Sequence, residues 1–378
     1  MVEVNETSIG GRELRRYSRH LLIPEVGVAG QQRLHDARVL TIGAGGLGAP
    51  VVQYLAAAGV GTLGILDDDL VDVTNLQRQV IFGDADIGRS KTAVAAERVR
   101  ALNPHVRVEA VPARVDASNV RAFVRGYDVI VDATDTFAAR YLINDACRLE
   151  GKPDVYASIF RFDGQVSVFA PGGPCYRCLF PEAPPDGSVP SCAEGGVLGV
   201  LAGMVGTWQA NEALKLVLGI GAPLVGRLAL IDALSGRARE IAIPVDDACA
   251  LHGPRATIVD VSDESRAEES PLPGGIALAA GDLDAFLERR PKARVLDVRE
   301  PHERALGPAP RSIDIPATSL DRRLSELDSA VEYVVACRVG AKSRWAIERL
   351  HDAGFRRLRH LEGGLLAYAV TRPDFEFF

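Results

Sequence analysis

Four stretches of this sequence carry residue types that do chemistry. "GGPCYRCLFPE" places Cys175 and Cys178 two residues apart behind a turn, the spacing of a redox pair or of half a zinc site. "VVACRVGAKSRWA" sets Cys337 at the mouth of a strand-to-helix loop, where backbone N–H groups and the neighbouring Arg338 and Lys342 favour a thiolate or persulfide anion. "VPSCAEGG" puts Cys192 before a long apolar helix, and the helix N-terminus favours its thiolate; an inert buried cysteine is the competing reading. "GAGGLG" (Gly43 to Gly48) follows an apolar β-branched run and opens a helix, so Gly43, Gly45 and Gly46 suit a phosphate cradled by backbone N–H groups.

Charged residues follow the glycine loop in order. Asp67 and Asp69 end the next strand about 20 residues on, where a nucleotide ribose would be held. Glycines and an acid alone fit a dinucleotide site, or simply a tight turn. Asn75, Arg78 and Lys91, with Arg19 upstream, add cations that a dehydrogenase does not need. A triphosphate attacked at its α-phosphate does need them, because charge grows there in the transition state. "DATDT" places Asp132 and Asp135 at a later strand end, where one carboxylate can bind Mg²⁺; capping the following helix is the alternative use.

The elements that must position these residues read as an α/β chain. Strand and helix signals alternate from "ARVLTIGAGGLG" through "RYLINDACRLEGKP", the pattern of a doubly wound parallel sheet. A helix is expected from Ser90 to a stop at Asn103-Pro104. "VYASIFRFDGQVSVFAP" and "GRLALIDALSGRAREIAIP" read as hairpins around a long glycine-interrupted apolar helix. Residues 246–275, acidic and proline-rich toward their end, read as a linker between residues 1–245 and a smaller α/β domain at 276–378.

Composition narrows the class. The 378 residues are 47% hydrophobic and 25% charged, ordinary for a globular enzyme of two or more domains. A net charge of −7 argues against a nucleic-acid partner. No apolar run reaches the ~18 residues of a membrane span, and no secretory h-region is visible. Six cysteines are too few for a disulfide scaffold, which makes the cytoplasm the expected compartment.

GxGGLGxP, an acidic strand end, TNLQRQ, a helix-start lysine, DxxD, RYLxNDAC, CYRC and SCAEGGVLG occur in this order across about Arg12 to Gly253. The series resembles the MoeB/ThiF family, relatives of ubiquitin-activating enzymes. The resemblance implies a Rossmann-like adenylation domain that uses ATP and Mg²⁺ to adenylate the C-terminal Gly-Gly of a ubiquitin-fold sulfur-carrier protein. It implies ATP contacts from Gly46, Asp67, Asn75, Arg78 and Lys91, Mg²⁺ at Asp135, and Arg19 reaching the phosphates of a neighbouring subunit in a homodimer. It also makes Cys192 a reactive cysteine. Thr136 stands where the family has Asn, and Ala139 replaces a common small hydroxyl residue.

"VLDVREPHE", CRxGxxSxxA and "LEGG" resemble a rhodanese sulfurtransferase domain, with departures at Pro308, Ala309, Arg311 and Tyr368. Together the two resemblances imply adenylation, then sulfur transfer from a Cys337 persulfide to give a thiocarboxylate. The sulfur donor would be a cysteine desulfurase persulfide or thiosulfate. In the family CYRC pairs with a distant CxxCG to bind zinc. Here the matching stretch is "CALHG", so Cys175, Cys178, Cys249 and His252 are the implied Zn²⁺ ligands. An NAD-dependent oxidoreductase is the second enzyme reading, and a non-catalytic carrier-docking module the third.

Overall fold

β1 (Arg38–Ile42) and β2 (Thr62–Leu66) are apolar runs that lie in the middle of a sheet, the second buried along its whole length. β3 (Arg107–Val111), β4 (Val129–Asp132), β5 (Asp154–Phe160), β6 (Asp163–Phe169), β7 (Arg227–Asp232) and β8 (Arg237–Ala242) complete it. The order is β3-β2-β1-β4-β5-β6-β7-β8. The first five strands run parallel, and the two expected hairpins add β6 to β8 antiparallel. The chain leaves β1 toward one side and β4 continues on the other. The gap between their carboxyl ends is therefore the switch point where open sheets of this kind bind ligands.

The structure, a computed structural model, describes residues 9–184, 195–262, 272, 276–305, 307–372 and 375. It divides into two compact units, one within residues 1–183 and 195–265, the other carrying residues 266–378. In the first unit the helices are α1 (Gly11–Arg16), α2 (Ser18–Leu21), α3 (Gly27–Asp36), α4 (Gly48–Ala58), α5 (Lys91–Leu102), α6 (Val120–Arg125), α7 (Phe137–Leu149), α8 (Tyr176–Leu179) and α9 (Gly199–Leu218). The side chain of Ser90 caps α5 by accepting from the Ala93 N–H, and Asn103 ends it, as the sequence predicts.

Two of the glycines of α9 have a packing reason. A Cβ at Gly206 would lie 2.4 Å from the Leu47 carbonyl oxygen, and one at Gly199 would lie 2.1 Å from that of Gln77. Their absence lets α9 press against the glycine loop and the start of α4.

The stretch expected to open the linker behaves differently. Cys249 and Leu251 are buried with Cys175, Leu149 and Ile258 beside them, and Asp260 pairs with Arg121 on α6. Residues 246–262 therefore belong to the first unit's packing. Apolar residues at 249, 251 and 258 sit among polar ones, and composition alone hides them.

The second unit is a five-stranded parallel sheet, order β11-β10-β12-β13-β9. Its strands are β9 (Ala277–Leu278), β10 (Arg294–Asp297), β11 (Ser312–Asp314), β12 (Tyr333–Ala336) and β13 (Leu358–Leu361). Among its helices are α10 (Leu283–Arg289), α11 (Pro301–Arg304), α12 (Leu320–Arg323), α13 (Ala341–Asp352) and α14 (Gly364–Thr371). α13 buries Ala346, Ile347 and Leu350 against β12, which fixes the loop between them.

Candidate functional site

Two of the loop glycines are dictated by close approach. Gly43 has φ +96°, and a Cβ there would lie 2.7 Å from the Ala133 carbonyl oxygen. A Cβ at Gly48 would lie 1.9 Å from the Gly43 oxygen. The turn closes on itself and rests on the loop that follows β4. Gly46 is close against Ala202 of α9 and Arg78, whereas Gly45 meets only the tip of Gln79. Gly45 is thus the glycine that packing does not require.

Asp67 braces this turn. One carboxylate oxygen accepts the Ala44 N–H at 2.7 Å and the other the Asp69 N–H at 2.8 Å. Burial raises its pKa, with Lys91 and the two N–H groups opposing. Lys91, only 5% exposed, donates its ammonium to Asp69 Oδ2 at 2.7 Å. The structure therefore brings Gly43, Gly45, Gly46, Asp67, Asp69, Arg78 and Lys91 to one sheet edge. Asp69, expected to hold a ribose hydroxyl together with Asp67, is instead engaged by Lys91. Asn75 is half-buried, and its Oδ1 accepts the Asp72 N–H at 3.1 Å.

On the other side of the switch point, Asp132 is buried and builds the loop that carries Asp135. Its Oδ1 accepts both the N–H and the hydroxyl of Thr134. Burial raises the Asp132 pKa, against the opposing pull of Arg140 and Thr134. Asp135 itself is exposed, which leaves its carboxylate open to a cation. Thr136, the departure from the family pattern, caps α7: its hydroxyl accepts the Ala139 N–H at 3.3 Å. The helix cap is thus a threonine, rather than either aspartate. Arg19 is exposed on α2 and makes no hydrogen bond to these groups among the described residues. Cys192 lies outside the described residues.

The cysteine cluster assembles as its spacing implies. Cys175 Sγ lies 4.0 Å from Cys178 Sγ and 3.7 Å from Cys249 Sγ, and Cys178 Sγ lies 3.2 Å from His252 Nε2. All four donor atoms fall within 4.8 Å of one another. A disulfide would need about 2.05 Å, so CYRC is not an oxidised redox pair. Tetrahedral zinc with bonds of about 2.3 Å to sulfur sets sulfur–sulfur edges near 3.8 Å, which these distances fit. Burial, then the neighbouring Cys178 and Cys249, raises the Cys175 thiol pKa, and a bound dication would relieve that cost. Burial and Arg148 lower the His252 pKa, favouring the neutral imidazole that binds metal.

In the second unit Cys337 is fully buried at the end of β12. The Gly340 N–H points to its sulfur at 3.1 Å, and Gly340 takes φ +107° to do so. Ser343 Oγ and His360 Nε2 both lie within hydrogen-bond reach of the Gly340 carbonyl, at 2.8 and 3.0 Å, and hold the loop. Lys342, one of the two expected loop cations, donates to Glu303 Oε2 at 2.8 Å. Glu303 is buried, and the sequence reading did not single it out. Tyr368, standing where tryptophan is common, uses its hydroxyl to reach Asp284 at 2.8 Å.

This geometry defines a class: an adenylation-type sheet edge on one unit and a sulfur-transfer loop on another. Residues 17–251 match the ThiF family and residues 279–371 the rhodanese-like domain. The chain belongs to the ThiF family and carries a C-terminal rhodanese-like domain. It is 44% identical over 384 residues to the probable adenylyltransferase/sulfurtransferase MoeZ of Mycobacterium tuberculosis, covering 97% of this chain and 96% of that one. It is 51% identical over 257 residues to the sulfur carrier protein adenylyltransferase of Thermus thermophilus, covering 66% of this chain and 95% of that one. Among solved structures, E. coli MccB superposes with a TM-score of 0.56 at 23% identity, over 63% of this chain and 74% of that one, a likeness of fold. The chain is an enzyme of the adenylyltransferase and sulfurtransferase class, from an ATP-using family.

Proposed function

We propose that the first unit adenylates the C-terminal Gly-Gly carboxylate of a ubiquitin-fold sulfur-carrier protein and that the second supplies sulfur to it. Lys91 is the observation that carries the ATP reading. A nearly buried ammonium is held at the switch point by one exposed carboxylate, on the acid pair that braces the glycine turn. A triphosphate can take that ammonium from Asp69. A nicotinamide dinucleotide gives no reason for it.

In this reading the carrier carboxylate attacks the α-phosphorus and pyrophosphate leaves. Gly45 and Gly46 lie under the phosphates, and Arg78 and Lys91 oppose the growing negative charge. Exposed Asp135 would hold Mg²⁺, which would supply positive charge at the phosphates. The acyl-adenylate is then attacked by a Cys337 persulfide, and AMP departs. A thiolate attacking Cys337 Sγ releases the carrier thiocarboxylate and leaves a disulfide, which a cellular thiol must reduce; Cys192 is the proposed attacking group. The donor that recharges Cys337 is a cysteine desulfurase persulfide or thiosulfate. Cys175, Cys178, Cys249 and His252 would hold a structural Zn²⁺.

A homodimer is proposed because the family resemblance has Arg19 reach the phosphates of a neighbouring subunit. Leu22, 73% exposed, and Ile23 lie next to it as apolar surface. The cytoplasm is the proposed compartment, in keeping with free thiols at Cys147, Cys175, Cys178, Cys249 and Cys337. No helix among the described residues is long and apolar enough to cross a membrane.

The test is pyrophosphate–ATP exchange with a Gly-Gly carrier, followed by intact-mass analysis of the carrier. Lys91→Ala is expected to cut exchange by at least ~100-fold. Cys337→Ala is expected to leave exchange intact and abolish the ~16 Da gain of a thiocarboxylate. NAD binding without exchange would establish the oxidoreductase reading instead, and carrier binding without either the docking module.

A further inference from the structure

We infer that the ion pair between buried Asp145 and half-buried Arg177 is the device that presets the metal-binding knuckle, making both positioning residues for the tetrad. This rests on the zinc reading above.

Cys175 and Cys178 sit at the two ends of one turn. α8 spans four residues, too few to hold a helix by its own hydrogen bonds. Its geometry must come from outside, and α7 supplies it. Arg177 donates from Nε to Asp145 Oδ1 at 2.8 Å and from Nη2 to Oδ2 at 2.6 Å, a two-point contact that fixes direction as well as distance. Asp145 is 4% exposed. Next to it, Asn144 accepts the Tyr176 N–H at 2.7 Å and donates to Asp145 Oδ1 at 3.0 Å. Tyr141, one turn earlier, donates its hydroxyl to the Phe180 carbonyl at 2.9 Å and lies under the Arg177 guanidinium at 4.8 Å. Residues 141, 144 and 145 share one stripe of α7, and together they grip residues 176, 177 and 180.

Arg177 is the centre of this grip because it lies between the two cysteines in sequence. Its side chain points into α7, which leaves Cys175 and Cys178 to face Cys249 and His252. A zinc ion with three thiolates and one imidazole carries a net charge of −1, and the adjoining guanidinium opposes it. Arg148, a further turn along α7, donates to the Ala170 and Gly173 carbonyls at 3.4 and 3.1 Å and holds the turn that leads from β6 into the knuckle.

Groups that orient metal ligands typically contribute 10- to 100-fold to affinity. The experiment is competition of the purified full chain with a chromophoric zinc chelator, together with the visible spectrum of the cobalt-substituted protein. The natural chain is expected to bind one zinc. Asp145→Asn is expected to bind it at least ~10-fold more weakly and to lose intensity in the tetrahedral cobalt bands. Thiosulfate-dependent sulfur transfer by Cys337 should not change. The double variant Asp145→Asn, Arg177→Gln leaves no buried charge unpaired, so it covers the case in which the single variant fails to fold. It is expected to fold and still bind zinc weakly. Natural affinity and an unchanged cobalt spectrum in either folded variant would overturn the inference while leaving the zinc site standing. A natural chain that binds no zinc would overturn both.

Discussion

At the scale of single residues, charges near each reactive group are largely balanced before any substrate arrives. Lys91 is held by Asp69, and Lys342 by Glu303. The second pair bears on the choice of sulfur donor. A free anionic donor such as thiosulfate is drawn by positive charge at the Cys337 loop, and Glu303 offsets the charge of Lys342 there. Gln at position 303 keeps the amide–backbone geometry of the α11 cap but removes the negative charge. Glu303→Gln is therefore expected to raise the rate of sulfur transfer from thiosulfate to cyanide by ~2- to 5-fold at low salt, with the gain shrinking as salt is added. An unchanged rate at low ionic strength would show that Lys342 does not reach the donor.

At the scale of elements, the glycine loop is shaped by a helix far along the chain. α9 approaches Leu47 and Pro50 because residue 206 has no side chain; a Cβ there would sit 2.4 and 2.5 Å from them. Gly206→Ala is expected to displace the loop, lowering stability by about 1–3 kcal/mol and weakening ATP binding. Gly203→Ala, three residues earlier with nothing within 4 Å, should be neutral or stabilising by ~1 kcal/mol. Thermal melts and equilibrium ATP binding on the two variants give the comparison. These two glycines also mark how far the sequence could be read. Alternating apolar runs revealed the parallel sheet, and "GAGGLG" the turn, because period and glycine spacing are local properties. That Gly206 serves packing while Gly203 does not depends on what lies opposite, which no local pattern encodes. The same holds for the cysteine tetrad. CYRC and CALH were legible from spacing and family pattern, but the grip of "RYLINDAC" on CYRC was not, since Asp145 and Arg177 meet only after 31 intervening residues fold. Residues 246–262 were read as linker for a related reason: two buried apolar side chains and a third partly buried carry little weight among so many polar ones.

At the scale of the whole molecule, the first unit holds a cost that pH should expose. Asp154 and Asp132, on adjacent parallel strands, are both buried, and each has a carboxylate oxygen without a hydrogen-bond partner. Burial, with Asp132 adding to it, raises the Asp154 pKa well above its ordinary value. The folded chain therefore keeps a proton that the unfolded chain releases once pH passes about 4. Where the folded state binds more protons, stability falls as pH rises; here the fall begins near the unfolded pKa and ends at the raised one. Each unit of upward shift corresponds to about 1.4 kcal/mol lost across that window. Asn at position 154 mimics the protonated carboxyl and cannot ionise in either state. Asp154→Asn is thus expected to raise Tm at pH 7 and to leave it nearly unchanged at pH 4, flattening the profile between them. Melting curves from pH 4 to 8 for both chains measure this. Equal gains at both pH values would place the effect in packing, and a lower Tm at pH 7 would mean that the folded protein uses the ionised carboxylate.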